Sequence, residues 1–171
     1  ESAELLKNGS FEKQTGELPA GWQKDAYDIG NRTINFSIEE GNAYKGNYFV
    51  VIDNVTPADS RFIQSMTVEP NSYYKLSGWI MGENIPSNQK GANISVMGVF
   101  ASAGNVKSGS GQWEYVELYG KTGPEQRNIT VACRLGGYGE ESRGKAFFDN
   151  MSFRKLSGKP AGKRVELFYR E

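Results

Sequence analysis

Short apolar runs recur along the whole chain, each stopped by turn-forming residues, and no stretch of about 11 residues or more keeps a helical period. The strand-like windows are residues 32–39, 48–53, 62–68, 73–83, 92–100, 112–119, 128–135 and 145–155. Between them stand Glu40-Gly41-Asn42, Pro57-Ala58-Asp59, Pro70-Asn71, Pro86-Ser87-Asn88, Gly104-Asn105, Gly123-Pro124 and Gly136-Gly137. Such residues supply positive φ, a preset φ or a side chain that bonds the local backbone. Many short strands with frequent turns predict an all-β chain, an antiparallel β-sandwich or jelly roll. No repeat of solenoid or propeller length is visible.

One domain is expected, over residues 4–156. Ser157-Gly158-Lys159-Pro160-Ala161-Gly162-Lys163-Arg164 is small, basic and turn-prone, and Val165-Glu166-Leu167-Phe168-Tyr169 is apolar again. Residues 157–171 therefore read as a linker, ending in a last strand or in the start of the next segment.

Charge and reactive residues narrow the function. Lys+Arg and Asp+Glu both number 20 in 171 residues, so no net field draws the chain to nucleic acid or to an anionic membrane. No apolar run has the roughly 20 residues of a membrane span, so no membrane insertion is expected. Histidine is absent, which removes the commonest general base and transition-metal ligand. The single cysteine, Cys133, shares its strand face with Ile129, Val131 and Leu135 and reads as a buried structural thiol.

Aromatics make up 12% of the chain, and some fall where alternation does not send them inward. Trp22 follows Pro19-Ala20-Gly21 and precedes Gln23-Lys24-Asp25, a loop setting. It is either an open platform or a plug over one end of a sandwich. Tyr138 lies in the Gly-rich loop 136–144, as a binding ring or a solvent-exposed tip. In strand 73–83 the set Tyr74, Leu76, Gly78 and Ile80 reads as core, leaving Trp79 opposite, lining a groove or covered by a loop. Matched faces would set Ser77, Glu83 and Asn93 beside Trp79 as hydrogen-bonding partners. Exposed rings flanked by amides, hydroxyls and carboxylates suit sugars, whose C–H faces pack on aromatics and whose hydroxyls need partners once desolvated.

Several motifs resemble one known group. Asn8-Gly9-Ser10-Phe11-Glu12 with Leu18-Pro19-Ala20-Gly21-Trp22 resembles the opening of carbohydrate-binding modules built as β-sandwiches, those of families 4, 9, 22 and especially 16. Ala43-Tyr44-Lys45-Gly46-Asn47-Tyr48, Tyr73-Tyr74-Lys75-Leu76-Ser77-Gly78-Trp79, Gln112-Trp113-Glu114-Tyr115-Val116 and Phe148-Asp149-Asn150 resemble the later strands, with Trp113 structural.

The resemblance implies a structural Ca²⁺ where the first and last segments meet. Glu12 and Asp149 would supply carboxylates, and carbonyls near Ser10 and Lys45 would complete the shell, a hard-oxygen set suited to Ca²⁺. It implies that Trp22 and Tyr138 flank a polysaccharide or oligosaccharide chain of the β-1,4-glucan or mannan type. It also implies an extracellular or cell-surface setting, with catalytic or surface domains linked in the parent chain. Catalysis is not expected. Glu39/Glu40 and Glu140/Glu141 are adjacent pairs, not facing carboxylates, and no nucleophile elbow or phosphate loop appears. The alternative is a structural or adhesive sandwich with no small sugar ligand.

Overall fold

The computed structural model describes residues 2–108 and 111–171. Two antiparallel layers enclose one core. The larger sheet has six strands, formed by β4 (Ile34–Glu40), β5 (Tyr48–Ala58), β7 (Tyr73–Glu83), β10 (Glu114–Lys121), β12 (Ser142–Lys155) and β13 (Val165–Leu167). They lie in the order β13-β10-β7-β12-β5-β4. The smaller sheet is β3-β6-β11-β8-β9, from β3 (Gln23–Ala26), β6 (Ser60–Thr67), β8 (Ala92–Val96), β9 (Ser102–Val106) and β11 (Asn128–Leu135). A short ribbon of β1 (Gln14–Thr15) and β2 (Leu18–Pro19) precedes them.

Alternation sorts the faces as expected. Tyr74, Leu76 and Ile80 of β7 meet Ile129, Val131 and Cys133 of β11 in one core cluster. Gly78 belongs to the same inward set for a steric reason: a Cβ there would lie 2.1 Å from the Met151 sulfur. Cys133 is fully buried, and desolvation drives its thiol pKa far up, so it is an inert core residue.

Two expectations about the elements are corrected. The window 92–100 is not one strand. The chain turns at Gly98 (φ 85°), the Val96 amide donates to the Ala101 carbonyl at 3.1 Å, and Phe100 sits exposed at the hairpin tip. The folded unit also does not stop at residue 156. β13 pairs in parallel with β10, and Phe168 is 2% exposed, its ring so close to Gly120 that a Cβ there would clash at 2.1 Å. Residues 165–168 are thus part of the sandwich.

The layers are joined at a sharp corner. Only Asp59 separates β5 of one sheet from β6 of the other. Beneath it, buried Asn54 donates to the carbonyls of Ala58 (3.2 Å) and Ser142 (2.8 Å) and accepts from Ser60 Oγ at 2.6 Å. The amide thus satisfies backbone groups that the change of sheet leaves without a ladder partner.

Candidate carbohydrate-binding site

The outer face of the five-stranded sheet carries a row of charged side chains set by register. Asp25 of β3 lies opposite Arg61 of β6, and Arg61 lies opposite Arg134 of β11. Asp59, at the corner, receives both guanidinium groups. Arg134 donates from Nε to Oδ1 at 2.7 Å and from its terminal nitrogen to Oδ2 at 2.6 Å; Arg61 reaches Oδ2 at 3.0 Å. Arg61 also bonds Asp25 at 2.7 Å. Arg134 and Asp59 are both buried, so their forked pairing is what makes those charges tolerable there.

Arg61, Asp59 and Arg134 of this row floor a cleft of about 800 Å³. Three rings stand at its rim with unusual exposure: Tyr27 at 64%, Phe100 at 85% and Tyr138 at 79%. Phe100 is held at the β8–β9 tip. Tyr138 sits on a turn closed by reciprocal bonds between the Gly137 and Glu140 backbones at 2.9 and 3.0 Å, with Gly139 at φ 67°. The two rings meet edge-to-face at 5.9 Å. The C-terminal tail supplies the far wall, where Arg170 Nε donates to the Gly98 carbonyl at 2.8 Å. Exposed rings over a floor of paired, largely buried charges form a surface that gains by being covered.

Of the residues singled out from sequence, Tyr138 alone lines this cleft. Trp22 is the plug: its indole is 5% exposed, packs on Phe11 at 5.3 Å and donates Nε1–H to the Asn8 carbonyl at 3.0 Å. Its loop is polar, but the ring closes the core beneath that loop. Trp79 lies on the outer face of the other sheet, stacked under Tyr44 at 3.8 Å, with Ser77 and Glu83 along the same strand face. Asn93 is not beside it. That side chain is fully buried in the five-stranded sheet, donating to Gly91 (3.2 Å) and Gly136 (2.9 Å) carbonyls and accepting from Ser95.

Sequence reasoning missed Arg61, Arg134, Asp59, Tyr27 and Phe100. For Arg134 the signal was present, since it alternates with the core residues Val131, Cys133 and Leu135.

The proposed cation ligands converge better. Asp149 is fully buried, accepting from the Lys45 amide at 3.0 Å and the Asn150 amide at 2.7 Å. Glu12 accepts from the Asn47 and Tyr48 amides at 2.9 and 3.0 Å. Gly46 (φ 71°) permits this approach, since a Cβ there would lie 2.7 Å from the Glu12 carboxyl. Ser10 is exposed, one residue after Gly9, whose carbonyl accepts from the Met151 amide of β12 at 2.8 Å.

Burial pushes the Asp149 carboxyl up to about 6, with the Glu12 charge adding to it and the Lys45 and Asn150 amides opposing. Neither acid has an ion-pair partner among the described residues, where no group of three or more acidic or thiol side chains gathers. The two neighbouring carboxylates, one buried, share no countercharge, and backbone amides hold their four oxygens; as hard oxygen donors they are of the type a divalent cation takes.

An all-β sandwich with a ring-rimmed cleft on one sheet defines the class, a ligand-binding sandwich module. Residues 3–124 match the family described as "Carbohydrate binding domain", types 4 and 9, and the chain belongs to that family. It is a β-sandwich carbohydrate-binding domain. Exochitinase 1 of Streptomyces olivaceoviridis is 26% identical over 140 residues, which is 80% of this chain and 20% of that protein. The chain thus spans about a fifth of this curated relative. Among solved structures, TmCBM61 in complex with β-1,4-galactotriose superposes with a TM-score of 0.61 at 21% identity, covering 91% of this chain and all of that one. A cyclase from Fischerella sp. TAU gives 0.73 at 14% identity, covering 94% and 100%. At these identities the last two attest the fold alone.

Proposed function

We propose that the cleft over the five-stranded sheet holds a neutral polysaccharide or oligosaccharide chain, without turnover, and tethers a linked catalytic or surface domain to it. The observation that carries this reading is the set of three exposed rings, Tyr27, Phe100 and Tyr138, over the Arg61–Asp59–Arg134 cluster. Sugar C–H faces would pack on the rings. Hydroxyls would exchange water for the exposed Arg170 and Glu171 of the far wall and for the partly exposed Arg61.

Turnover has little to work with. Both Asp59 oxygens are engaged by guanidinium N–H groups, and Glu166 pairs with Arg164 at 3.1 Å. A β-1,4-linked backbone of gluco- or manno-type is the proposed ligand, bound with millimolar to micromolar affinity, on the order of −4 to −8 kcal/mol. Tethering makes such weak binding sufficient by raising local concentration. The setting is extracellular or at the cell surface.

Ca²⁺ is proposed as the clip between the N-terminal segment, the 43–48 loop and β12, held by Glu12 and Asp149 with carbonyls near Ser10 and Lys45. Its chemistry there is charge neutralisation. Affinity electrophoresis against soluble polysaccharides tests the main reading. Retardation by a glucan or mannan, lost in Phe100→Ala/Tyr138→Ala, is the expected result. Normal migration in every gel would favour the adhesive sandwich instead.

A further inference from the structure

The opposite side of the molecule carries a second concavity. Where β12 crosses β7, Asp149 pairs with Trp79 and Ser152 with Ser77, so Asn150 and Met151 together oppose the single residue Gly78. Asn150 takes φ 50°, and the Met151 side chain drops into the core at 4% exposure. This bulge leaves a cleft of about 420 Å³, walled by Tyr115 of β10, by Ser77 and Lys75 of β7, by Asn150, Ser152 and Arg154 of β12, and by Glu4 of the N-terminal segment.

The chemistry of that cleft is specific. Each cation lining it has a carboxylate partner: Lys75 with Glu117 at 2.9 Å, Arg154 with Glu4 at 3.6 Å, and Lys155 with Glu69. No uncompensated charge is left to select an anionic ligand. What remains is hydroxyl, amide and paired carboxylate, beside one ring. Tyr115 is 46% exposed although its ring leans on Trp79 at 5.2 Å, the Lys75 ammonium lies 5.9 Å from its centroid and its hydroxyl donates to Glu117 at 3.1 Å; Trp79 is stacked in turn under Tyr44. Glu4 is itself fixed, accepting from the Phe153 amide at 2.7 Å and from Ser152 Oγ at 2.6 Å. The wall is therefore built in advance of any ligand.

We infer that this cleft is a second saccharide-binding site, taking one or two neutral pyranose units with a sugar face on Tyr115. It lies on the outer side of the six-stranded sheet, away from the first cleft, and stands or falls independently of it. Two sites on opposite faces would let one domain bridge two chains or two stretches of one chain.

A spectroscopic difference separates the sites. No tryptophan lines the first cleft among the described residues, whereas Tyr115 touches Trp79. The experiment titrates cellopentaose, mannopentaose, chitopentaose and β-1,4-galactotriose into wild-type protein, Tyr115→Ala, Trp79→Phe and Phe100→Ala/Tyr138→Ala. Tryptophan emission and heat are recorded together, and the thermal midpoint of each variant is checked first. At least one saccharide should change the emission. Tyr115→Ala should weaken that response at least tenfold while sparing binding detected by heat at the first cleft. Trp79→Phe should remove the emission change and keep the heat, and Phe100→Ala/Tyr138→Ala should keep the emission change with the heat that accompanies it while losing the heat of the first cleft. Emission unmoved by every saccharide overturns the second site. So does a response abolished by the Phe100/Tyr138 pair but indifferent to Tyr115. Heat lost in Phe100→Ala/Tyr138→Ala with no emission change in wild type would keep the first cleft and remove the second.

Discussion

Both outer faces of the sandwich are rich in aromatics, yet they use them oppositely. On the six-stranded side the rings satisfy one another: Tyr44 on Trp79, Tyr115 against Trp79, Trp113 edge-on to Phe49 at 5.7 Å, and Phe49 against Phe147 at 5.9 Å. Phe49 and Phe147 fall to 7% and 8% exposure under that cover. On the five-stranded side the strands present charge-paired arginines, and the rings come from loops, where nothing folds over them. An aromatic on an outer face is available to a ligand only by the surface its neighbours leave open: Tyr115 keeps 46% exposure beside Trp79, whereas Phe49 and Phe147 keep almost none. Covered rings stabilise the protein, and rings that keep an open face are the ones proposed to meet a ligand.

The largest expected effect tests the floor of the first cleft. Arg134→Ala leaves the buried Asp59 carboxylate with Arg61 alone, and should cost about 3–5 kcal/mol of stability. For a chain of this size the melting midpoint should fall by roughly 10 °C, with saccharide binding lost as well. An unchanged midpoint would mean that the row is ornamental.

The six-stranded side should answer to metal instead. Chelation is expected to lower the midpoint by an amount worth about 2–3 kcal/mol, and Asp149→Asn should abolish the difference between chelated and Ca²⁺-loaded protein. The pH dependence has a definite sign. In the metal-free fold the Asp149 carboxyl titrates at about 6, above its unfolded value near 3.9, so between those values the folded state binds the extra proton. Chelated protein should therefore gain stability as pH falls from roughly 7 to 5. Differential scanning calorimetry at several pH values would reveal a flat response if no such carboxyl exists.

Next come the rim rings. Phe100→Ala and Tyr138→Ala should each weaken saccharide binding by about five- to thirtyfold, on the order of 1–2 kcal/mol, with midpoints unmoved. The smallest effect belongs to Tyr44→Ala. Losing its stack on Trp79 should cost about 0.5–1.5 kcal/mol of stability and leave the first cleft's affinity as it was. Isothermal titration beside thermal melts would distinguish these two behaviours, and their exchange would invert the comparison.

The layered all-β architecture was readable from alternation, down to the bounds of β7 and β11, because their inward sets are continuous. β3 and β9 escaped notice: Gln23-Lys24-Asp25-Ala26 and Ser102-Ala103-Gly104-Asn105-Val106 carry no apolar alternation and exist as strands only by pairing at the sheet's edges. Tyr138 was legible because its glycine-rich loop cannot cover a ring. Trp22 misled because its partner, Phe11, lies in another segment. The Arg61–Asp59–Arg134 cluster depends on how β6 registers with β11 and where the chain changes layers, neither of which local pattern encodes. Asn93 and Trp79 both alternate outward, but on different sheets.

The one-residue step at Asp59 has a consequence of its own. The same aspartate that turns the chain from layer to layer also anchors the guanidinium row, with Asn54 locking the bend from below. Slippage of one layer against the other would pull the guanidinium pairing out of alignment, so the floor of the cleft is only as firm as the join between the two layers.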